Sequence, residues 1–409
     1  MVATARIESI AAGGAGVARV DGLVIFTPRT APGDLVELSY VKRDRLGRGR
    51  LTRIMEPSTE RVEPRCRHYD GDGCGGCQLQ HLSGAAQREA KRRIVADAVT
   101  RIAKRNVDVP PVIPSPVDWG YRNKLTLALR WSAGGFQAGL HRWDDVDRVF
   151  SLDECPITHP RVVAGWRGVL LEGRLLPRAP ELRGAVRLAG ERLAFVVDGG
   201  LRWPHAREFA QLMPGFGTVR WIDAEGREHD ILTDEVERPV ASFEQVNPAM
   251  AERLRADVVA HVRSVRPTTV IDAYSGVGDA SIPLVEAGIR VTAIEMDREA
   301  ASHASRRLTF PSASVCARVE DVLASMLPAD AVILNPPRAG VDSRVCEALE
   351  GVARAGTAPR VIVYVSCNPA TLARDLTRLS SYRLQQLQPY DMFPQTAHVE
   401  TVCRLVPEE

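Results

Sequence analysis

Lysine is almost absent from this 409-residue chain: Lys42, Lys91, Lys104 and Lys124 are the only ones, all in its first third. Arginine carries the positive charge instead, and its planar fork suits phosphate. Missing too is any apolar run near the ~20 residues that a membrane helix requires, so no membrane partner is expected. The stretch Met1 to Glu8 lacks the apolar core of a signal peptide, and the expected location is the cytoplasm. In that reducing compartment the eight cysteines are not read as disulfides. No internal repeat, low-complexity tract or Gly-Lys-Ser/Thr phosphate loop is present, and the last absence argues against a triphosphate ligand.

What the chain does contain has the makeup of a globular protein, with 45% hydrophobic and 25% charged residues. Its length suits two or three domains. The net charge of +2 conceals an imbalance: residues 40–105 hold 16 Lys/Arg against 8 Asp/Glu, which leaves the rest of the chain acidic. Such a basic stretch fits a polyanion partner, and it equally fits a solvated surface. Residues 1–57 read as five short strands, over 5–10, 16–20, 23–27, 34–41 and 49–55. Asp21-Gly22 is a hairpin signal between the second and third, and the unit suits an OB-like barrel of the kind that binds oligonucleotides. A cysteine cluster follows at 58–82, then an Arg-rich amphipathic helix over 84–105. A linker over 107–119 is punctuated by Pro110, Pro111, Pro114 and Pro116. Alternating polar and apolar residues make 120–240 mostly antiparallel β. From about 243 strands and helices alternate, as in a doubly wound, Rossmann-like α/β sheet. The expected domains are 1–57, 58–240 and 241–409.

The chemistry gathers at the predicted carboxyl ends of the later strands, where open α/β sheets bind ligands. The strand over 268–273 runs through Asp272 into Tyr274-Ser275-Gly276-Val277-Gly278-Asp279, whose glycines allow close approach of backbone to a ligand. The next strand ends at Glu295, 23 residues after Asp272, a spacing suited to an acid that accepts hydrogen bonds from ribose hydroxyls. A third ends in Asn335-Pro336-Pro337-Arg338, where the prolines stiffen the ligand edge. The apolar run Val361 to Val365 stops at Ser366-Cys367-Asn368-Pro369 and delivers a thiol to the same edge. Strand ends at Asp272, Glu295, Asn335 and Cys367, in this order, resemble the skeleton of an S-adenosylmethionine-dependent methyltransferase.

Several segments together resemble the RNA uracil-5-methyltransferase family, in particular its iron–sulfur members that act on 23S ribosomal RNA. They are Cys66, Gly73-Cys74-Gly75-Gly76-Cys77-Gln78, Tyr121-Arg122-Asn123-Lys124, Cys155, Phe243-Glu244-Gln245-Val246-Asn247, Asn335 to Gly340, Ser366 to Pro369 and Asp391 to Glu400. The resemblance spans essentially the whole chain, and residues 1–57 are similar to the family's TRAM domain. It implies that Cys367 is a nucleophile that adds to uracil C6 and that Glu400 is the base that removes the C5 proton. For S-adenosylmethionine it implies Gln245, Tyr274, Asp279, Glu295, Asn335 and, as a looser match, Asp321. The family usually has Asp where Asn335 stands and Asn where Asp279 stands, a pair of departures that suggests a compensating exchange.

Cys66, Cys74, Cys77 and the distant Cys155 supply four thiolates, which suit a structural zinc or a 4Fe–4S cluster. The asymmetric spacing and the Gly-Cys-Gly-Gly-Cys-Gln run favour the cluster, in a structural role. Cys316, Cys346 and Cys403 are read as core or incidental. RNA is the expected partner, contacted by residues 121–124 and the N-terminal unit, with 23S ribosomal RNA ahead of tRNA and the protein acting as a monomer. The alternative from another class is an RNA-binding assembly factor that has lost catalysis.

Overall fold

The computed structural model describes residues 1–132, 135–233 and 244–408, and three β-sheets organise them. In the first, Val2–Arg6, Leu35–Arg43, Leu46–Glu56, Leu23–Thr27, Gly16–Val20 and Ser9–Ile10 lie side by side in that order. Six strands stand where the sequence suggests five. The stretch expected as one strand over 5–10 breaks because its chain changes partners: Ile7 N–H donates to Asp34 O (2.9 Å) and Glu8 N–H to Val17 O (2.8 Å). The hairpin at Asp21-Gly22 has φ of 49° and 79°, the doubly positive geometry of the tight turn that Asp-Gly favours. Ala5, Ile7, Ala18, Ile25, Val36 and Leu38 fill the interior.

A seven-stranded central sheet follows, in the order Glu228–Thr233, Phe216–Ile222, Arg192–Asp198, Leu182–Ala189, Lys124–Ser132, Gly135–His141 and Val149–Ser151. All its pairings are antiparallel except Arg192–Asp198 with Phe216–Ile222. Helix Pro160–Leu171 covers one face through Val162, Trp166 and Val169, and the Trp166 indole N–H donates to Leu125 O at 2.9 Å.

The C-terminal sheet also has seven strands. Numbered within this sheet they are β1 (Thr269–Ala273), β2 (Arg290–Glu295), β3 (Ala313–Cys316), β4 (Ala331–Leu334), β5 (Val361–Ser366), β6 (Tyr382–Tyr390) and β7 (Glu400–Pro407), in the spatial order 3-2-1-4-5-7-6. β1 to β5 are parallel; β7 is antiparallel to both β5 and β6. The apolar runs of β4 and β5 serve both faces. Val361, Val363 and Val365 pack under helix Pro248–Arg263, while Ile362 and Tyr364 pack on the opposite face, the alternation a pleated strand imposes.

Helix Gly84–Arg101 ends four residues before the expected 105. Although it precedes the central sheet in sequence, it packs with the C-terminal one: Val95 and Val99 join Leu372, Leu376, Tyr382 and Leu387 in one core. Its Lys91 is wholly buried, and the ammonium donates to Asp391 Oδ1 (2.5 Å) and Phe393 O (2.9 Å). Removing one partner of a buried pair leaves a charge without compensation. Lys91→Met should therefore lower unfolding stability by about 3–5 kcal/mol, and the double substitution Lys91→Met, Asp391→Leu should recover most of it. Urea unfolding of the three proteins checks this; equal losses in single and double variants would contradict it.

Candidate active site

Cys367 follows the last residue of β5 and is half-buried. The next residue, Asn368, caps helix Pro369–Arg378 by accepting Ala370 N–H at 3.1 Å. Its amide also donates to Arg338 O (3.4 Å), as does the Thr371 hydroxyl (3.2 Å). The loop after β4 is thus tied to the loop after β5, which brings the Arg338 side chain near enough to favour ionisation of Cys367.

Strand pairing delivers the second group. Ser366 faces Thr401 across β5 and β7, so the residue beyond Ser366, Cys367, lies beside Glu400. Glu400 is 2% exposed, and its Oε2 has no hydrogen-bond partner. Burial raises its carboxyl to about 8, with Arg338 opposing the shift. The thiol of Cys367 is raised as well, first by burial and then by Glu400, against Arg338. Cys367, Glu400 and Arg338 thus form one electrostatic unit in which a single guanidinium favours the ionised form of both acids. Sequence reasoning had flagged the Arg338 segment but assigned this side chain no role. His398 packs edge-on to Phe393 (6.0 Å between ring centres). Desolvation and the cations Arg338, Lys91 and Arg122 lower it to about 4, so it is neutral.

Beside this pair, the ends of β4, β1 and β2 form a continuous edge with strands ~4.8 Å apart. Glu295 closes β2, and its carboxylate accepts Gly276 N–H (2.9 Å) and Asp297 N–H (2.8 Å). A carboxylate has about four acceptor positions, so capacity remains for further donors. Ser275 Oγ is buried without a partner. Gly276 has φ of 56° and open space where a Cβ would stand. Gly278 needs its lack of a side chain twice over, since φ is 81° and a Cβ would meet Ala304 at 3.2 Å. Tyr274 is held at φ 61°, a sparsely populated conformation for a bulky residue. This glycine turn, anchored acid and orphaned hydroxyl fit a nucleoside-bearing cofactor.

The other expected cofactor residues divide. Asn335 follows β4 with its side chain exposed, and its N–H donates to Ala273 O at 3.2 Å. Gln245 is half-buried in a segment fixed on both sides. Glu244 pairs with Arg187, Val246 O accepts Asn123 N–H (2.9 Å), and the Asn247 amide donates to Ser115 Oγ (3.0 Å) and Met392 O (3.2 Å). Phe243 lies outside the described residues. Asp279 points to Arg255 (3.4 Å) and Arg307 (3.5 Å). Asp321 is exposed and paired with Arg344 at 2.8 Å, while its neighbour Glu320, shielded from solvent, acts electrostatically on Tyr274.

A second constellation forms below the N-terminal unit. Cys66, Cys74, Cys77 and Cys155 line one cavity of about 180 Å³, with Gln80, Arg122 and Glu154 also on its wall. Burial pushes all four thiols up, Cys74 to about 11 and Cys77 to about 12, and Cys155 raises each of the other three. Among the described residues, no group of three or more His, Cys, Asp or Glu is placed to hold a metal ion. Cys346 and Cys403 belong to the core, and Cys316 is exposed.

One expectation needs correction. Tyr121 and Asn123, read as RNA-contacting residues, are buried. Tyr121 packs with Cys66 and Cys77 and donates its hydroxyl hydrogen to Pro394 O at 2.9 Å, so only the half-buried Arg122 and Lys124 of that run reach solvent.

Comparison with known proteins places this geometry. The family profile described as tRNA (Uracil-5-)-methyltransferase matches residues 312–406. An uncharacterized RNA methyltransferase of Thermosynechococcus vestitus is 33% identical over 98% of this chain and 97% of its own. The 23S rRNA (uracil(1939)-C(5))-methyltransferase of an Azoarcus species is 30% identical over 98% of both. Among solved structures, the Pyrococcus abyssi tRNA (uracil-54, C5)-methyltransferase in complex with S-adenosyl-L-homocysteine aligns with a TM-score of 0.72 at 26% identity, covering 99% of this chain and 100% of that one.

The raised carboxyl of Glu400 has a consequence for stability. Folded, the group keeps its proton to about pH 8; unfolded, it would release it near the ordinary carboxylate value. Between those values the folded chain binds more protons, so stability falls as pH rises across the window. Glu400→Gln, neutral throughout, should be about as stable as the parent at pH 5 and more stable by about 1–3 kcal/mol at pH 8. Denaturant unfolding at the two pH values reads the difference directly; a gain of the same size at both would refute the assignment.

Proposed function

This chain belongs to the RNA uracil-5-methyltransferase family, and on that basis we propose that it methylates C5 of a uridine in RNA with Cys367 as nucleophile and Glu400 as base. The observation that carries the reading is the meeting of these two groups, with Arg338 beside both, at the ligand edge of the sheet. Uracil C5 is a poor nucleophile until a thiolate adds to C6 and turns C5 into an enolate-like carbon. Arg338 favours the thiolate of Cys367. S-adenosylmethionine, when bound, supplies an electrophilic methyl group. Glu400, in its carboxylate form, then takes the C5 proton, the C5–C6 double bond reforms and the Cys367 sulfur leaves. The target base has to leave its stack to reach the thiol.

Glu295 would hold the ribose of the methyl donor, with Tyr274 and Gln245 packing around it and Asn335 offering its amide. Asp279 would act through Arg255 and Arg307 rather than by direct contact, and Asp321 is the weakest candidate. Residues 1–57 would form a TRAM-like RNA-binding unit, 58–240 the central domain, apart from helix Gly84–Arg101, which packs in the core of the last unit, and 241–409 the methyl-transfer domain, with the basic residues of the first unit and Arg122 and Lys124 facing RNA. The same family reading puts the protein in the cytoplasm, acting as a monomer. The substrate proposed is 23S ribosomal RNA, in line with the Azoarcus relative; the Pyrococcus enzyme, named for tRNA, supplies the competing outcome. For the four cysteines, a cavity of about 180 Å³ that all four line, with their asymmetric spacing, supports a 4Fe–4S cluster over a single zinc. Cys66, Cys74, Cys77 and Cys155 would hold it, and its part would be structural.

The deciding experiment offers labelled S-adenosylmethionine to RNA from a host lacking the gene and maps the methylated nucleoside. 5-Methyluridine in 23S RNA is expected; the same product in tRNA would move the substrate, and no product would favour an RNA-binding assembly factor. An RNA carrying 5-fluorouridine should trap a stable covalent adduct with the parent protein and none with Cys367→Ser. Protein purified without oxygen should be brown, with about four irons per chain; stoichiometric zinc without iron would overturn the cluster.

A further inference from the structure

The segment 391–400 that ends in Glu400 packs on its own sheet through Met392 and Val399, but it is tied in place from elsewhere. Most of its polar anchors come from residues about 300 positions earlier. Leu79 N–H donates to Gln395 O (3.0 Å). Ala397 N–H donates to Gln78 Oε1 (3.2 Å). Gln87 both donates to Gln395 Oε1 and accepts Gln395 N–H, each at 2.9 Å. Tyr121 bonds Pro394 O, as described above. Gln395 itself sits at φ 71°, a conformation that a non-glycine residue keeps only when its surroundings enforce it.

Gln78 occupies the centre of this web. It follows Cys77 directly, and its amide nitrogen donates to Gly75 O at 2.8 Å, inside the cysteine loop. Its carbonyl oxygen holds Ala397, three residues before Glu400. The barrel loop closes over both: a Cβ on Gly14 would stand 2.5 Å from Gln78 Cβ and 3.3 Å from Ala397 Cβ. One side chain thus joins the cysteine loop to the backbone that carries Glu400, in a close contact with Gly14.

We propose that Gln78 is a positioning residue for proton removal, bracing the 393–398 loop so that the carboxylate of Glu400 is aimed at C5 of the target uracil. The proposal rests on Glu400 being the base. Gln78 touches neither reacting atom and acts on one step only: loss of the C5 proton, after the methyl group has moved and before the Cys367 sulfur departs. Binding of RNA and of S-adenosylmethionine does not pass through it.

The test compares Gln78→Leu and Gln78→Glu, using RNA with uridine or 5-deuterouridine at the target and monitoring metal content and unfolding temperature. Gln78→Leu should reduce kcat about tenfold, leave both KM values within about twofold, raise the deuterium isotope effect on turnover and accumulate the covalent RNA complex. Gln78→Glu keeps an oxygen for Ala397 N–H and should restore most of the rate. Should Gln78→Leu fail to fold, Tyr121→Phe removes one hydrogen bond to the same loop and should give a smaller loss with the same isotope signature. A rate lost through KM, or an unchanged isotope effect, overturns the positioning role. Glu400→Gln is run alongside and should stall as the covalent complex; free turnover by that variant would remove the base assignment itself, whatever Gln78 does.

Discussion

Strand β7 runs against the direction of its neighbour β5, and the proposed reaction centre depends on that reversal. A sheet of parallel strands offers only carboxyl ends at its ligand edge. One antiparallel strand brings an amino end there, so a residue leaving β5 and a residue entering β7 meet side by side. The pairing of Ser366 with Thr401 fixes which residues these are. A slip of one position would turn Glu400 to the other face of the sheet. Val402 locks the register from one side and Cys403 and Leu405 from the other, because each belongs to a different packed face.

The acids near this edge show how surroundings divide labour among similar groups. Asp272 is as buried as Glu400, yet it accepts the Ser281 hydroxyl at 2.6 Å and is raised only to about 6. It is a satisfied structural acid. Glu400 retains an oxygen without a partner and holds its proton to a higher pH, which makes its carboxylate the stronger base. In the proposed mechanism a proton on C5 of an addition complex calls for that strength, and desolvation supplies it at some expense to the fold. Arg338 moderates the effect from the exposed side without forming the close ion pair that would abolish it.

Much of this was legible in sequence because it is local. Strand ends at Asp272, Glu295, Asn335 and Cys367 follow from apolar runs that stop abruptly, and the Asp21-Gly22 turn from its two residues. Cys66, Cys74 and Cys77 stand close in sequence, and the resemblance to the family added the remote Cys155. The illegible parts are those that require a partner far along the chain. Nothing near Lys91 announces Asp391, and an amphipathic pattern over 84–105 does not say which sheet the helix will cover. The exposure of Asp321 and the burial of Tyr121 are likewise set by tertiary packing: alternate residues of one run turned in opposite directions, and the arginine that captures Asp321 lies 23 residues away.

The link between residues 78–91 and 391–397 also bears on how the molecule comes into being. A ribosome extends a chain from its amino end at about 5–20 residues per second, so helix Gly84–Arg101 emerges long before the loop that neutralises it. Throughout that interval Lys91 cannot be buried as a charge, and Gln87 and Gln78 lack the amides they will hold. The first hundred residues therefore wait, partly unsettled, for the last twenty. An interrupted chain holds the braces without the segment they fix, and the proposed base, Glu400, is among the last residues to join them.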